Sequence, residues 1–229
     1  MTNRPVALVT GATRGIGRAI AVELSSTHRI LVGGRDAARA RELVAELDDA
    51  APFVCDLADE DAVAAACAGI GRLDVLVHSA GIGRSNDIGL AARALWREVF
   101  ETNVFAVADL TRLLLPALEA ARGIVVAINS GAGFFSSPGG GVYAGSKFAL
   151  RALTDALREE MRGKVRVCSI HPGRTDTDMQ RELQAAMGNE HYNGSCYVSP
   201  GSVAAAVRLA VDTPDNATVE QLSIRPSVF

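Results

Sequence analysis

Two residues of the sequence have the types and the spacing for acid–base chemistry, Tyr143 and Lys147. Positions i and i+4 share one face of a helix, so the phenol and the ammonium can act together if this segment is helical. Reduction of a carbonyl needs a proton donor for its oxygen, and a phenol can serve although its ordinary pKa is about 10. A nearby cation favours the phenolate, so we expect Lys147 to lower the pKa of Tyr143.

The rarity of lysine in this chain strengthens the interpretation of Lys147. The 23 basic residues include Lys147 and Lys164 as the two lysines, and the others are all arginine. Arginine stays charged in proteins, whereas the pKa of a lysine shifts readily with its surroundings. An ordinary surface pair at the same spacing is the alternative, and the general use of arginine elsewhere argues against it.

Two segments follow predicted strands, at the end where open parallel sheets bind ligands. Ser130 comes after the apolar run at residues 123–129, and its hydroxyl could hydrogen-bond a substrate oxygen. The glycine-rich stretch at residues 10–17 comes between the first strand and the first helix. Its glycines allow a close approach to a pyrophosphate, and the helix N-terminus offers unpaired N–H groups. The spacing differs from GxGxxG, and a glycine-rich turn without a ligand is the alternative interpretation.

Strands and helices alternate along the chain. Short apolar runs predict strands buried on both faces at residues 5–10, 29–33, 52–55, 74–78, 123–129, 165–171 and 220–224. Helix-length segments lie between or after them at residues 15–26, 37–47, 59–67, 91–121, 142–162 and 199–211. This repetition predicts an α/β protein, a single-domain Rossmann fold over residues 1–229 with a doubly wound parallel β-sheet and helices on both faces.

Six motifs in this order resemble those of the short-chain dehydrogenase/reductase family. They are TGxxxGxG at residues 10–17, His78-Ser79-Ala80-Gly81 where the family usually has NNAG, Asn103, Ser130, YxxxK at residues 143–147, and PGxxxT at residues 172–177. The resemblance extends over nearly the whole chain. It implies an oxidoreductase that transfers a hydride between a nicotinamide cofactor and a small carbonyl or alcohol, with Tyr143 as the general acid and base.

The resemblance also implies roles for individual residues. The catalytic set is Asn103, Ser130, Tyr143 and Lys147, in which Asn103 holds a water that relays protons to Lys147. The residues implied in cofactor binding are Gly11, Thr13, Arg14, Gly15, Ile16, Gly17, Arg35, Asp56, Leu57, Ser79, Ala80, Gly81, Tyr143, Lys147, Pro172, Gly173, Thr175 and Thr177. Asp56 matches the family's adenine-binding Asp, and an Asp that only caps a turn is the alternative.

The chain departs from the family pattern at His78 and Ser79, where both asparagines are missing. The resemblance gives that motif a largely structural role beside the cofactor, so the departure affects local geometry rather than chemistry. We interpret His78 as a structural histidine whose hydrogen bonds are satisfied, in preference to a catalytic base.

The end of the second strand bears on the choice of cofactor. NAD-specific sites usually place an acid there for the ribose 2′-hydroxyl, whereas this chain has Gly34 followed by Arg35. The resemblance associates basic residues at Arg35 and at Arg14 with NADP(H), whose 2′-phosphate matches a guanidinium group. We predict NADP(H). The runner-up is NAD(H) bound through Asp36, and a third interpretation is that Arg35 only solvates the surface.

Composition and charge exclude several other classes of protein. A net charge of −3 argues against a nucleic-acid partner. The four cysteines form no CxxC pair and have no histidines at zinc-ligand spacing, so we expect free thiols and no metal. No signal-peptide core or membrane-length apolar segment is evident, which predicts a cytoplasmic protein without a membrane partner.

The sequence leaves the substrate, the reaction direction and the stereochemistry open. Six apolar or aromatic residues could line an apolar pocket or belong to the core, namely Phe134, Phe135, Met179, Met187, Tyr192 and Tyr197. The predicted helices at 91–121 and 142–162 resemble those through which family members pair, which implies a homodimer or homotetramer.

The alternative to an enzyme is a catalytically silent NAD(P)-binding sensor or regulatory module. Such a module has no need for Ser130, Tyr143 and Lys147, and all three are present. We therefore predict an enzyme.

Overall fold

A computed structural model describes residues 4–186 and 188–227. Its strands are β1 (Val6–Val9), β2 (Arg29–Gly34), β3 (Ala50–Val54), β4 (Val75–His78), β5 (Ile124–Ile128), β6 (Arg166–Pro172) and β7 (Gln221–Ile224). They form one sheet in the order β3-β2-β1-β4-β5-β6-β7, and every pair is parallel. The strand order reverses between β1 and β4, where open sheets of this kind bind ligands.

Helices cover both faces of the sheet, as predicted. They are α1 (Gly15–Ser25), α2 (Ala37–Glu46), α3 (Glu60–Cys67), α4 (Arg93–Phe100), α5 (Ala106–Ala121), α6 (Gly141–Glu160), α7 (Asp178–Ala186) and α8 (Pro200–Asp212). Alternate residues of one strand enter two separate cores. Val9 packs in the core that contains residues of α1, α2 and α8, whereas Leu8 packs with residues of α3 and α5. This two-sided burial explains why the strands are continuous apolar runs.

The prediction of one continuous helix at residues 91–121 was wrong. A π-helical turn (Glu101–Phe105) separates α4 from α5. The turn could not be predicted from the sequence because it contains no proline or glycine. Single π-helical turns inside α-helices often occur at functional sites, and this one carries Asn103.

Of the helices in the described ranges, none has the length and apolar character needed to cross a membrane. The sequence did not predict α7, which begins directly after Thr177. Met179 is the only apolar residue of its first turn, so the sequence shows no clear apolar periodicity there.

Candidate active site

A cavity of about 270 Å³ lies beside the carboxyl ends of β1, β2 and β4. Many of the residues that we predicted to contact a cofactor line it, namely Gly11, Thr13, Arg14, Gly15, Ile16, Gly17, Arg35, Asp56, Leu57, Ser79, Ala80, Gly81 and Thr177. Tyr143, Lys147, Pro172, Gly173 and Thr175 are not among the residues that line it. Thr175 instead pairs with Val198 in a short parallel bridge.

The glycine loop passes very close to the loop after β4. Gly11 has a φ of +64°, and a Cβ on it would lie 2.9 Å from the Ala80 Cα. The hydroxyl of Thr10 accepts hydrogen bonds from the backbone N–H groups of Ser79 and Ala80, at 3.0 and 3.1 Å. Glycine at position 11 and threonine at position 10 together hold the two loops that face the cavity. This role of Thr10 was not predicted from the sequence.

The end of β2 carries a glycine, Gly34, at the position where NAD-specific sites have an acid, and a larger residue there would displace the Thr13 side chain. A Cβ on Gly34 would lie 2.8 Å from the Thr13 Cγ2. The next acid, Asp36, caps α2 by accepting hydrogen bonds from the N–H groups of Ala38 and Arg39, at 2.9 and 3.2 Å. Arg35 is exposed and lines the cavity.

Arg14 stands at the N-terminus of α1, and its side chain reaches toward α7. Its guanidinium lies 4.0 Å from the Glu182 carboxylate, and the two side chains are 55% and 69% exposed. An ion pair this exposed contributes little free energy, so Arg14 can exchange this partner for a bound anion.

The position of Asp56 is compatible with both interpretations that the sequence left open. It lines the cavity, and its Oδ1 also accepts a hydrogen bond from the Ala58 N–H at 3.0 Å. Because the second carboxylate oxygen carries no such contact among the described residues, capping of the turn and binding of a ligand are compatible.

Ser130 and Tyr143 meet at the carboxyl end of β5. Ser130 begins a 3₁₀ turn (Gly131–Gly133), and its Oγ accepts a hydrogen bond from the Ala132 N–H at 3.1 Å. Tyr143 lies in the first turn of α6. Burial raises the pKa of Tyr143, and hydrogen bonding with the Ser130 side chain only partly offsets this effect. Tyr143 therefore keeps its proton at neutral pH.

Lys147 lies one turn further along α6 and is 5% exposed. Its Nζ donates a hydrogen bond to the Ile128 carbonyl at 3.0 Å and lies 5.7 Å from the centre of the Tyr143 ring. Burial lowers the pKa of Lys147 to about 8. We expected Lys147 to lower the pKa of Tyr143, but the net shift of that phenol is upward because burial outweighs the other effects.

Asn103, in the π-helical turn, bonds with the loop after β4 and with helix α6. Its Oδ1 accepts a hydrogen bond from the Ile82 N–H at 2.9 Å, and its Nδ2 donates to the Ile82 carbonyl at 3.0 Å. The same Nδ2 donates to Ser146 Oγ at 3.0 Å, and Ser146 donates to the Tyr143 carbonyl. Asn103 thus connects the loop after β4 with the helix that carries Tyr143. The relay of protons through a water to Lys147 stays a prediction.

Asn129 also organises the site, and the sequence analysis missed it. The residue is buried, and its Oδ1 accepts a hydrogen bond from the Ser130 N–H at 2.9 Å. Its Nδ2 donates to the Lys147 carbonyl at 3.2 Å. A polar residue at the last position of an apolar run was the available signal, because a buried amide needs partners.

His78 has the structural role that we predicted. It is 3% exposed, and its Nε2 lies 2.8 Å from the Thr111 Oγ1 on α5. Burial lowers the pKa of His78 to about 4, so the ring is neutral at neutral pH. Ser79 contributes its backbone N–H to Thr10, a contact that does not depend on an asparagine side chain.

The residues considered for an apolar pocket divide into two groups. Met179 lies against Gly83 and lines the cavity, and the exposed Phe135 lies beside Gly131, which follows Ser130. Phe134 instead packs on His171, with ring centres 4.3 Å apart. The other two aromatic residues stack on each other at 4.8 Å, namely Tyr192 and Tyr197. Met187 lies outside the described residues.

Comparison with known proteins places this geometry in a family. The family described as short chain dehydrogenase matches residues 5–188. The chain is 33% identical to a serine 3-dehydrogenase of Agrobacterium fabrum, an alignment that covers 96% of this chain and 92% of that protein.

Solved structures agree with the sequence comparison. An alcohol dehydrogenase from Thermococcus sibiricus complexed with 5-hydroxy-NADP superimposes with a TM-score of 0.88 at 27% identity, covering 99% of this chain and 98% of that chain. A metagenomic short-chain oxidoreductase in complex with NADP gives a TM-score of 0.82 at 33% identity, covering 98% of each chain. The chain therefore belongs to the short-chain dehydrogenase/reductase family of oxidoreductases.

Proposed function

We propose that this protein is an NADP(H)-dependent oxidoreductase that interconverts a small carbonyl compound and the corresponding alcohol. The observation that carries the proposal is the meeting of Ser130, Tyr143 and Lys147 at the carboxyl end of β5. A proton donor, a hydrogen-bonding hydroxyl and a cation are the groups that such a reaction requires at the substrate oxygen.

The lining of the cavity suits the phosphate groups of a dinucleotide. Gly11 and Gly33 line the cavity without side chains, so the backbone itself faces the ligand there. The N-terminus of α1 adds unpaired N–H groups, which bind phosphate. When bound, the cofactor supplies or accepts the hydride.

The protein residues supply and stabilise the proton. In the reducing direction, Tyr143 donates its proton to the carbonyl oxygen, which its raised pKa permits at neutral pH. The Ser130 hydroxyl donates a hydrogen bond to the same oxygen and holds it near the phenol. The phenolate that remains is stabilised by the buried ammonium of Lys147, since a cation favours the charged form. Proton transfer by a positioned acid is worth about 10²–10⁴ in rate.

The preference for NADP(H) over NAD(H) is supported by three features of the adenosine end of the cavity. Gly34 provides no acid for a ribose 2′-hydroxyl, and a larger residue there would displace the Thr13 side chain. Asp36, the acid required by the NAD(H) alternative, is engaged in capping α2. Arg14 and Arg35 both line the cavity. Two charge-assisted contacts at about 1.5 kcal/mol each amount to roughly a hundredfold in affinity.

A catalytically silent sensor is less compatible with the site. Burial of an ammonium group costs free energy unless polar partners compensate for the lost hydration, and Lys147 is almost fully buried beside Tyr143. A module that only binds a dinucleotide gains nothing from this arrangement, whereas a catalyst uses it.

The test is a panel of aliphatic and aromatic aldehydes, ketones and keto esters, with NADPH oxidation followed by absorbance. Alcohols and both enantiomers of serine, which the name of the relative suggests, are tested in the oxidising direction with NADP⁺. Tyr143→Phe should bind NADPH as the parent does and lose about 10²-fold or more in single-turnover rate. If the parent turned over no member of the panel, the enzyme proposal would fail. If Tyr143→Phe kept more than about a tenth of the parental rate, another acid would be required.

A further inference from the structure

A buried histidine holds the backbone of Ser130. His171 on β6 has 0% of its surface exposed. Its Nδ1 lies 3.0 Å from the Ser130 carbonyl oxygen. The N–H of Gly133 donates to the same oxygen at 3.0 Å. Strand β6 is thereby connected directly to the residue whose hydroxyl meets Tyr143.

The surroundings of the ring permit one protonation state. A carbonyl oxygen can only accept a hydrogen bond, so Nδ1 must carry the hydrogen. Burial lowers the pKa of His171, so the ring is neutral at neutral pH and Nε2 is an acceptor. The Ser169 hydroxyl lies 3.0 Å from Nε2 and donates to it. Both ring nitrogens are satisfied in this single tautomer.

Packing fixes the orientation of the same ring. The Phe134 ring lies on it with centres 4.3 Å apart, and the Arg151 guanidinium lies 4.6 Å from the centre of the Phe134 ring. The Arg225 guanidinium donates a hydrogen bond to the His171 carbonyl at 2.6 Å. Phe134 therefore holds the ring directly, Arg151 lies against Phe134, and Arg225 holds the backbone of His171.

We propose that His171 is a positioning residue for Ser130, and that its Nδ1–H sets where the Ser130 hydroxyl points. The proposal rests on the proposed function, in which that hydroxyl binds the substrate oxygen. The carbonyl and the hydroxyl belong to one residue, so a shift of the carbonyl moves the hydroxyl too. A misplacement of about 1 Å can cost about 10²-fold in rate. Asn129 and Gly133 also hold Ser130, so the loss on removing the histidine contact should be about tenfold.

Two substitutions separate the two sides of the ring. Asparagine places its amide nitrogen near the Nδ1 position, so His171→Asn keeps the donor toward Ser130. Glutamine places its amide near the Nε2 position, so His171→Gln keeps the contact with Ser169 and loses the one with Ser130. We expect His171→Gln to lose about tenfold in kcat with an unchanged Kd for NADPH, and His171→Asn to recover most of that loss. His28→Gln, at a histidine that is also buried but contacts Thr27, controls for lost stability.

A double-mutant cycle distinguishes positioning from general damage. In the Ser130→Ala background there is no hydroxyl left to misplace, so His171→Gln should cause no further loss in kcat. The kinetics use the best ketone of the panel described above. A further tenfold loss in that background, or equal rates for His171→Asn and His171→Gln, would overturn the proposal.

A measurement without substrate separates this proposal from the proposed function. The chain has three tyrosines, so an NMR spectrum of protein labelled with carbon-13 at tyrosine Cζ contains few signals. The signal that is missing in Tyr143→Phe belongs to Tyr143. Ser130→Ala should shift the Tyr143 signal because the Ser130 contact is lost. His171→Gln should shift it in the same direction, and His171→Asn should not. An unshifted signal in His171→Gln refutes the positioning role even if no substrate is ever found.

Discussion

Replacement of His78 by glutamine should change how the stability of the protein depends on pH. The Nε2 of His78 lies 2.8 Å from the Thr111 Oγ1 in the core. Glutamine places its amide near the same position, so His78→Gln keeps a hydrogen-bonding group opposite Thr111 and removes the titrating ring. Burial lowers the pKa of His78 from 6.5 to about 4 in the folded protein.

The sign of the effect follows from proton uptake. Between pH 6.5 and about 4 the unfolded chain binds a proton at this position and the folded protein does not. Acid therefore favours unfolding, and the free energy of unfolding falls as the pH falls through this window. The resulting loss of free energy of unfolding is negligible at pH 7.5, reaches about 2 kcal/mol at pH 5, and levels off at about 3 kcal/mol below pH 4.

Urea unfolding of the parent and of His78→Gln at pH 7.5 and pH 5 measures this directly. The parent should lose about 2 kcal/mol more than the variant between the two pH values. His28 and His171, whose pKa values burial also lowers, are present in both proteins and cancel in the difference. If the two proteins lost the same free energy of unfolding, His78 would not be held neutral in the core and this reasoning would be refuted.

Three further predictions concern the cofactor, the lysine and assembly. NADPH should bind at least about tenfold more tightly than NADH, and Arg35→Ala should remove most of this difference and make NADPH binding less sensitive to salt. Equal affinities of the parent for the two cofactors, measured by fluorescence titration, would contradict this. Lys147→Arg should lose at least about tenfold in single-turnover rate although the charge is kept, because a planar guanidinium cannot replace a compact ammonium; a rate near that of the parent would exclude the proposed role. Phe105 and Phe148 are 54% and 44% exposed, on helices that we expect to pair, so light scattering at micromolar concentration should give the mass of a dimer or tetramer rather than a monomer.

The fold could be predicted from the sequence because five of its seven strands are largely buried, and only β3 and β7 at the two edges of the sheet are more exposed. Buried strands are short apolar runs, and each of the seven lies within about two residues of its predicted position. The glycine loop was also predictable, since Gly11 tolerates no side chain next to Ala80. These features depend on residues that are close together in the sequence, so they can be recognised without a structure.

The features that escaped prediction depend on contacts between distant residues. Asn103 reaches Ile82 and Ser146 through a π-helical turn that no residue type marks. The contact of His171 with the Ser130 carbonyl spans 41 positions of the sequence. Because such contacts form only after the sheet brings β5 and β6 together, spacing along the chain cannot reveal them.

The sign of the Tyr143 shift is the clearest case in which burial decided what spacing could not. The i, i+4 spacing with Lys147 correctly placed the two groups on one face of α6. However, the same burial penalises the charged form of each, which raises the pKa of the phenol and lowers that of the ammonium. At neutral pH this leaves a protonated phenol beside a lysine that is still mostly charged. Reduction of a carbonyl needs this starting state, in which Tyr143 can donate a proton and the charged Lys147 can stabilise the phenolate that forms. Oxidation of an alcohol needs the phenolate first, so rising pH favours that direction.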